Sequence, residues 1–566
     1  MNFKKLLAEK ITESIAGSDF ELIYSLIEIP PQKDMGDFSI PCFRFAKEMK
    51  KSPPVIAGQI ANDIKKPDFI SEIKTEGAYI NFFVEKSIFA TAVMDELVKQ
   101  GEECGRSDEG KGKTIVIDYS SPNIAKPFHV GHLRSTVIGG ALLNIYKCLG
   151  YDVVGINHLG DWGTQFGKLI VAYRKWGNKE EVEKGGIQEL TRLYVKFHDE
   201  SESDATLADE ARSEFVKMQN GEPEAMTLWK WFNDLSIVEF EQVYKKLGIE
   251  FDYYTGESFY NDKMDAAIDE LRQKNLLVNS EGAMVVDLSE SNMPPCLILR
   301  TDGGTLYPTR DISAALYRQS TFKFDKCLYV TAIDQSLHFA QWFKVVERMG
   351  YDWANSLVHV PFGLVSLETG KLSTRKGNVV LMADLLNEAV QKTREIIEQK
   401  NPNLEDKEKV ANQVGIGSVI FNDLFNSRIK DVVFSWDKML NFEGETAPYV
   451  QYAHARACGV LEKADDLDTG SKADFSTLTD DASLDLIKLL YGFPAKISEA
   501  GNKYEPFVLT RHLVAIAQSF NRFYHENEVL TAAENVKAAR LALVKVVKSV
   551  LRTGLNLLGV AAPEGM

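Results

Sequence analysis

Thr114-Ile115-Val116-Ile117-Asp118-Tyr119 runs directly into Ser120-Ser121-Pro122-Asn123-Ile124-Ala125-Lys126-Pro127-Phe128-His129-Val130-Gly131-His132, and a long helical pattern follows. A strand that ends in a tight loop and opens a helix brings unpaired backbone N–H groups and the positive end of the helix dipole to one spot, which is where a phosphate binds. His129 and His132 stand on that spot, and their spacing predicts both rings on the first helical turn. Gly131 between them has no side chain, which predicts room for a flat group such as an adenine or a ribose against the backbone. A second apolar run, Tyr151-Asp152-Val153-Val154-Gly155-Ile156, completes a βαβ unit. The combination reads as an ATP site contacted by His129, Gly131 and His132; two structural histidines are the alternative, which the strand–loop–helix context disfavours.

The frame around this junction is a 566-residue chain, 45% hydrophobic and 26% charged, with ample core and enough length for three or four domains. No apolar stretch reaches the roughly 18 to 20 residues of a membrane span. The start, Met1 to Lys10, reads as a charged amphipathic helix without a signal-peptide core, and its acidic residues argue against a transit peptide, so the expected location is the cytoplasm. Cys42, Cys104, Cys148, Cys296, Cys327 and Cys458 are scattered with no C-x-x-C pair, so neither a zinc knuckle nor a disulfide framework is indicated. A net charge of −16 excludes indiscriminate nucleic-acid binding through bulk charge; a nucleic-acid partner must be met by a local patch.

Residues 1–105 read as an α+β domain: an N-terminal helix, a helix from about Pro54 to Lys65, and two alternating segments joined at Glu76-Gly77 as a hairpin. Gly101 to Lys113, rich in Gly and charge, reads as a linker. Residues 106–425 form the expected nucleotide-binding domain, interrupted by a charged helical insert at about 172–251. Residues 426–566 turn helical, with runs at Tyr449 to Ala464 and three more amphipathic helices reaching Leu558. Arg456, Arg511, Arg522, Lys545, Lys548 and Arg552 on these helices read either as solvated faces of a small bundle or, as a group, as an RNA-binding face with Phe520, Phe523 and Tyr524 for stacking. A second chemical segment is Gly370-Lys371-Leu372-Ser373-Thr374-Arg375-Lys376-Gly377-Asn378. Alone it is a solvated basic turn; beside a histidine pair, its three cations suit a loop that closes over a polyphosphate.

His129-Val130-Gly131-His132 and Lys371-Leu372-Ser373-Thr374-Arg375 together resemble the two signature motifs of class I aminoacyl-tRNA synthetases, His-Ile-Gly-His and Lys-Met-Ser-Lys-Ser. The longer string from Ser121 to Thr136 is similar to that of the arginyl-tRNA synthetases. So are Gly160-Asp161-Trp162-Gly163-Thr164-Gln165-Phe166-Gly167, Tyr307-Pro308-Thr309-Arg310-Asp311, Asp334-Gln335-Ser336-Leu337-His338-Phe339 and the ending Leu557 to Glu564. The resemblance implies a multidomain α/β fold with a Rossmann-type catalytic domain, an α+β N-terminal domain that contacts tRNA and an all-α C-terminal anticodon-binding bundle. It also implies the activation of L-arginine by ATP with Mg²⁺, giving arginyl-adenylate and pyrophosphate, then transfer to the 2′-hydroxyl of the terminal adenosine of tRNA(Arg), in a monomer without zinc. Members of the family typically need bound tRNA before the first step.

By the same resemblance Asp118, Ser121, Asn123, Tyr307, Asp311 and Gln335 occupy the arginine pocket. Asp118 and Asp311 supply negative charge for the guanidinium, and Asn123, Tyr307 and Gln335 supply neutral hydrogen-bond partners. Taken singly, Asp118 reads equally as a strand-end cap and Tyr307 as a core aromatic. The chain departs from the signature at Thr374, which replaces the second lysine. Lys126 resembles the substitute in the ATP site, with Arg375 and Lys376 as competitors for the same role, and Lys371 is the remaining catalytic cation. Two rivals stand beside this reading: a cysteinyl-type synthetase, which would need a zinc cluster, and a synthetase-like protein that binds tRNA or nucleotide without charging it.

Overall fold

The computed structural model describes residues 3–15, 19–30, 32–367, 370–371, 380–441, 443–464 and 473–566. The chain divides into one unit of Met1–Cys104, Arg456–Phe493 and Ala515–Val550, and a second of Gly105–Ala455, Pro494–Val514 and Leu551–Met566. In the first, the helix Phe3–Ser14 buries Phe3, Leu7, Ala8 and Ile11, a stripe at helical spacing. The strands β1 (Phe38–Pro41), β2 (Ile70–Glu76) and β3 (Tyr79–Val84) form an antiparallel sheet of order β1-β3-β2. The expected hairpin reverses at Gly77, whose φ of 57° suits a residue without Cβ. The expected helix at 54–65 forms over Pro53–Asp63, with proline in the first turn, where its missing N–H costs nothing. The helical C-terminal runs form as Ala447–Glu462, Asp481–Lys503, Phe507–Glu526 and Glu534–Leu557, and their residues are shared between the two units.

The second unit is built on a five-stranded sheet. In chain order its strands are β4 (Thr114–Asp118), β5 (Asp152–Asn157) and β6 (Tyr253–Tyr254), then, after a small antiparallel sheet of β7 (Leu277–Ser280), β8 (Ala283–Val286) and β9 (Cys296–Leu299), β10 (Lys326–Ala332) and β11 (Leu357–Phe362). Their spatial order is β11-β10-β4-β5-β6, with every pairing parallel. The chain starts in the middle, moves outward through β5 and β6, then returns to the other side of β4. The strand order therefore reverses between β4 and β10, and an open parallel sheet leaves a crevice beyond the carboxyl ends of its strands at such a point. The core under it joins Val116 and Ile156 of the sheet to Ile312 and Ala315 of the helix Tyr307–Phe322 and to Trp342, Val345 and Val346 of the helix Ser336–Arg348.

Two expectations change. The stretch read as a linker is tied down: Ser107 and Gly110 donate their amides to the carbonyls of Cys148 and Leu149 at 3.1 and 2.8 Å. These carbonyls end the helix Leu133–Cys148 and lack helical partners, so the neighbouring amides satisfy them. The insert has no break at residue 172, because the helix Thr164–Trp176 runs through it. The helices Lys179–Ser201, Thr206–Gln219 and Pro223–Leu247 then fill the crossover from β5 to β6. Strands β12 (Val365–Leu367), β13 (Gly370–Lys371) and β14 (Val432–Phe434) make a small sheet with β12 between the others. No described helix is long and apolar enough to cross a membrane.

Candidate active site

At the switch point the backbone is strained where the first crossover begins. Ser120, Ser121 and Ala125 have φ of 70, 49 and 56°, conformations that cost about 1 to 3 kcal/mol each and persist only when the surroundings hold them. They are held. Ser120 N–H donates to Ser135 Oγ at 2.8 Å, and Ser135 Oγ–H to the Val330 carbonyl at 2.6 Å. Ser120 Oγ lies 2.8 Å from Tyr244 Oη, and Ala125 N–H donates to Ser236 Oγ at 3.0 Å. Ser236 and Tyr244 lie on Pro223–Leu247, so the last helix of the insert braces the loop.

The histidine string folds as a 3₁₀ turn, Val130–His132, ahead of the helix rather than as its first α-turn. His129 caps the turn: its Nδ1 accepts the Gly131 N–H at 3.0 Å, and His132 Nδ1 accepts the His129 N–H at 3.2 Å. With both Nδ1 atoms accepting, the proton of each neutral ring sits on Nε2, which leaves each imidazole a donor. The rings stay neutral: burial, then the charge of Lys126, lowers His129, and burial with the neighbouring His129 pushes His132 down to about 3. The ring centroids are 4.1 Å apart, and Phe128 stacks on His132 at 5.0 Å. The space at Gly131 is used by the protein itself, since a Cβ there would lie 2.6 Å from His129 Cε1. The expected opening for a flat ligand is thus filled by the His129 ring folding over the turn.

A cavity of about 760 Å³ extends from this turn along the ends of β4 and β10. It is lined by His129, Gly131 and His132 and also by Asp118, Ser121, Asn123, Tyr307, Asp311 and Gln335. Tyr307 opens its helix and is 65% exposed, so it is no core aromatic. Asn123 bridges to Gly160, where a Cβ would fall 2.2 Å from Asn123 Oδ1. Asp311 Oδ2 is 2.6 Å from His338 Nε2. Asp118 pairs with the buried Arg318 at 2.7 Å, and Ser121 Oγ donates to its other oxygen at 2.9 Å. Lys126 is exposed at the crest of the loop, outside the cavity lining.

Leu364, Val365 and Ser366 also line the cavity, and Lys371 sits opposite Ser366 in β13. Ser373, Thr374, Arg375 and Lys376 lie outside the described residues. The chain resumes at Val380, whose carbonyl accepts the Val130 N–H at 3.2 Å, and Met382 N–H donates to the Phe128 carbonyl at 2.9 Å. Both flanks of that segment are therefore fixed at the histidine turn or the cavity wall. Among the described residues no cluster of three or more His, Cys, Asp or Glu side chains is arranged to hold a metal ion, and all six cysteines are buried without disulfides.

Sequence reasoning missed Arg318, His338, Glu257, Ser236 and Tyr244. Only His338 lay within a quoted motif, and nothing local signals the others.

A parallel sheet whose central crossover opens on a histidine-capped turn, with a cavity at the switch point, fits the catalytic domain of a class I tRNA synthetase. The family profile described as tRNA synthetases class I (R), catalytic domain, matches residues 93–436; those of the arginyl tRNA synthetase N terminal domain and the DALR anticodon binding domain match residues 1–84 and 450–566. The arginine–tRNA ligase of Alkaliphilus metalliredigens is 54% identical, and that of Clostridioides difficile 52%, each over the whole of both chains. The solved arginyl-tRNA synthetase of Thermus thermophilus superposes with a TM-score of 0.85 at 26% identity, covering all of both chains. That of Plasmodium falciparum repeats the fold, with a TM-score of 0.82 at 23% identity, covering all of this chain and 98% of its own. The chain belongs to the arginyl-tRNA synthetase family.

Proposed function

We propose that this chain ligates L-arginine to tRNA(Arg) in two steps. The arginine carboxylate attacks the α-phosphate of ATP to give arginyl-adenylate and pyrophosphate; the 2′-hydroxyl of the terminal adenosine then takes the arginyl group and AMP leaves. No protein nucleophile is needed, so catalysis is positioning and electrostatic stabilisation. The observation that carries this reading is one cavity bordered by two neutral Nε2–H donors and by a set of carboxylate, amide and phenol groups suited to a guanidinium amino acid.

His129 and His132 donate to the phosphates, Gly131 lets His129 cap the turn, and Lys126, Lys371, Arg375 and Lys376 supply positive charge. Asp311 and Tyr307 take the guanidinium end; Ser121, Asn123 and Gln335 fix the rest of the amino acid, with Asp118 as the anchor of that wall. Mg²⁺ travels with ATP, and no side chain is assigned to it; zinc has no part. Residues 1–105 contact tRNA, residues 106–425 with the helical insert between β5 and β6 carry the chemistry, and residues 426–566 read the anticodon. The enzyme works as a cytoplasmic monomer.

Charging of total tRNA with each amino acid in parallel tests this directly. Arginine is expected to be incorporated, with lysine a poor substrate for want of a planar fork and citrulline for want of a charge. Charging with cysteine and not arginine would overturn the reading. Within the site, Asp311→Asn raises KM for arginine by about 10- to 100-fold, the effect of one lost charge-assisted hydrogen bond, and leaves KM for ATP near wild type. Equal changes in both constants would show that Asp311 supports the whole cleft instead of one substrate.

A further inference from the structure

Two neighbouring side chains at the start of the helix Leu133–Cys148 tie it to different parts of the cavity wall. Ser135 holds the loop after β4 to β10. Arg134 reaches the chain that leaves β11 and the chain that enters β14. Its Nη1 donates to the Gly363 carbonyl at 3.0 Å and to the Lys430 carbonyl at 2.6 Å, one N–H to each. Its Nε lies 3.1 Å from Asp423 Oδ1 on the helix Lys407–Leu424, with side chains 1 and 3% exposed, so the buried cation has its counterion.

The wall around those carbonyls is tightly built. Gly363 N–H donates to the Arg428 carbonyl at 2.8 Å, Leu364 N–H to Asp431 Oδ1 at 2.7 Å, and Val432 N–H to the Leu364 carbonyl at 2.9 Å. A Cβ on Gly363 would lie 2.7 Å from both Asp431 Oδ1 and the Lys430 carbonyl carbon, so the approach requires glycine. Gly363, Leu364 and Asp431 line the same cavity as His129 and His132. These bonds fix the shape of the wall itself. The Arg134 fork fixes it to the helix that opens behind the histidine turn.

We propose that Arg134 is a positioning residue for the nucleotide end of the cavity, holding the wall from Gly363 to Ser366 at a fixed spacing from the histidine turn. This rests on the reading of His129 and His132 as phosphate donors and adds the element that sets where a nucleotide lies relative to them. Arg134 is too buried to serve a ligand directly, so it acts through the two carbonyls it holds. Without the guanidinium the buried Gly363 carbonyl loses its donor, and the backbone shifts to recover one, because an unmet acceptor away from water costs more than a small movement. Neutralising Asp423 is a separate service of the same side chain. Removing both charges dispenses with that service and leaves the tether broken.

The test compares wild type, Arg134→Met and Arg134→Met with Asp423→Asn in urea unfolding and in arginine-dependent pyrophosphate exchange with tRNA present, varying ATP and arginine separately. Arg134→Met strands Asp423 and should lower the urea midpoint; the double variant removes the stranded charge and should recover most of it. Both variants should nevertheless raise KM for ATP on the order of 10-fold and leave KM for arginine within about twofold, since the lost hydrogen bonds displace the nucleotide wall alone. A fraction of unfolded enzyme would lower kcat and leave both KM values unchanged. A double variant whose KM for ATP returns to the wild-type value overturns the proposal, because Arg134 would then serve only to neutralise Asp423; equal rises in both KM values overturn it too, because the whole cleft would then have moved. Should neither variant fold, Gly363→Ala decides: its Cβ drives the wall from the Lys430 turn and leaves the Arg134–Asp423 pair in place, so a raised KM for ATP supports the proposal and an unchanged one overturns it. A wild-type enzyme without arginine-dependent exchange fails the parent reading, and this proposal falls with it.

Discussion

Arg318→Met lowers the unfolding free energy of the catalytic unit by about 3 to 5 kcal/mol, because it leaves the largely buried Asp118 carboxylate without its ion-pair partner. The ion pair measures 2.7 Å with side chains 1 and 8% exposed, so solvent replaces little of what either partner loses. The size of the loss comes from the stranded partner and not from the worth of the pair. Removing both charges should consequently be milder: Asp118→Asn with Arg318→Met recovers most of the stability, since a neutral amide needs no counterion. Urea unfolding of the wild type, the two single variants and the double variant closes the cycle. A loss under about 1 kcal/mol for Arg318→Met would mean that water reaches the pair, and Asp118 would then be available to a ligand after all.

That pair also marks where the sequence stops being readable. The signals that located the site are local. A β-branched run, a Pro- and Asn-bearing loop and two histidines at a spacing of three specify strand and turn within 20 residues, and the structure has β4, the strained loop and the capped turn there, at the phosphate site proposed above. Helices announced by prolines and apolar stripes formed within a few residues of expectation. Asp118 and Arg318 are 200 positions apart, and what joins them is the return of the chain from β6 to β10, which no window of sequence contains. The same holds for Ser236 and Tyr244, whose hydroxyls support the loop from the far end of a charged helical insert that reads as solvated surface. Gly131 shows a different limit. Its need for a missing Cβ was legible, but the occupant of the space is the His129 ring, and a ligand and a neighbouring side chain leave the same trace in a sequence.

The absent second lysine of the signature leads to the other large effect expected. A leaving pyrophosphate needs a cation fixed near it, and Thr374 offers none. Lys126 is three residues before His129 on the loop that Ser236 holds through Ala125, and its charge already lowers both imidazoles, so it stands within electrostatic reach of the proposed phosphate site. Being exposed, it is free to turn toward an incoming polyphosphate without breaking a buried contact. Lys126→Ala should depress arginine-dependent pyrophosphate exchange by on the order of 100-fold or more with little change in KM for arginine, the pattern of an interaction made mainly in the transition state. Thr374→Lys on that background returns the cation to the signature position and should restore part of the rate, whereas Thr374→Lys alone should add little, because one cation already serves. Exchange kinetics on the three variants and on Lys376→Ala separate the candidates. If Lys126→Ala exchanged at near the wild-type rate while Lys376→Ala abolished exchange, the loop after β13 would carry the charge and Lys126 would be only a solvated residue at its edge.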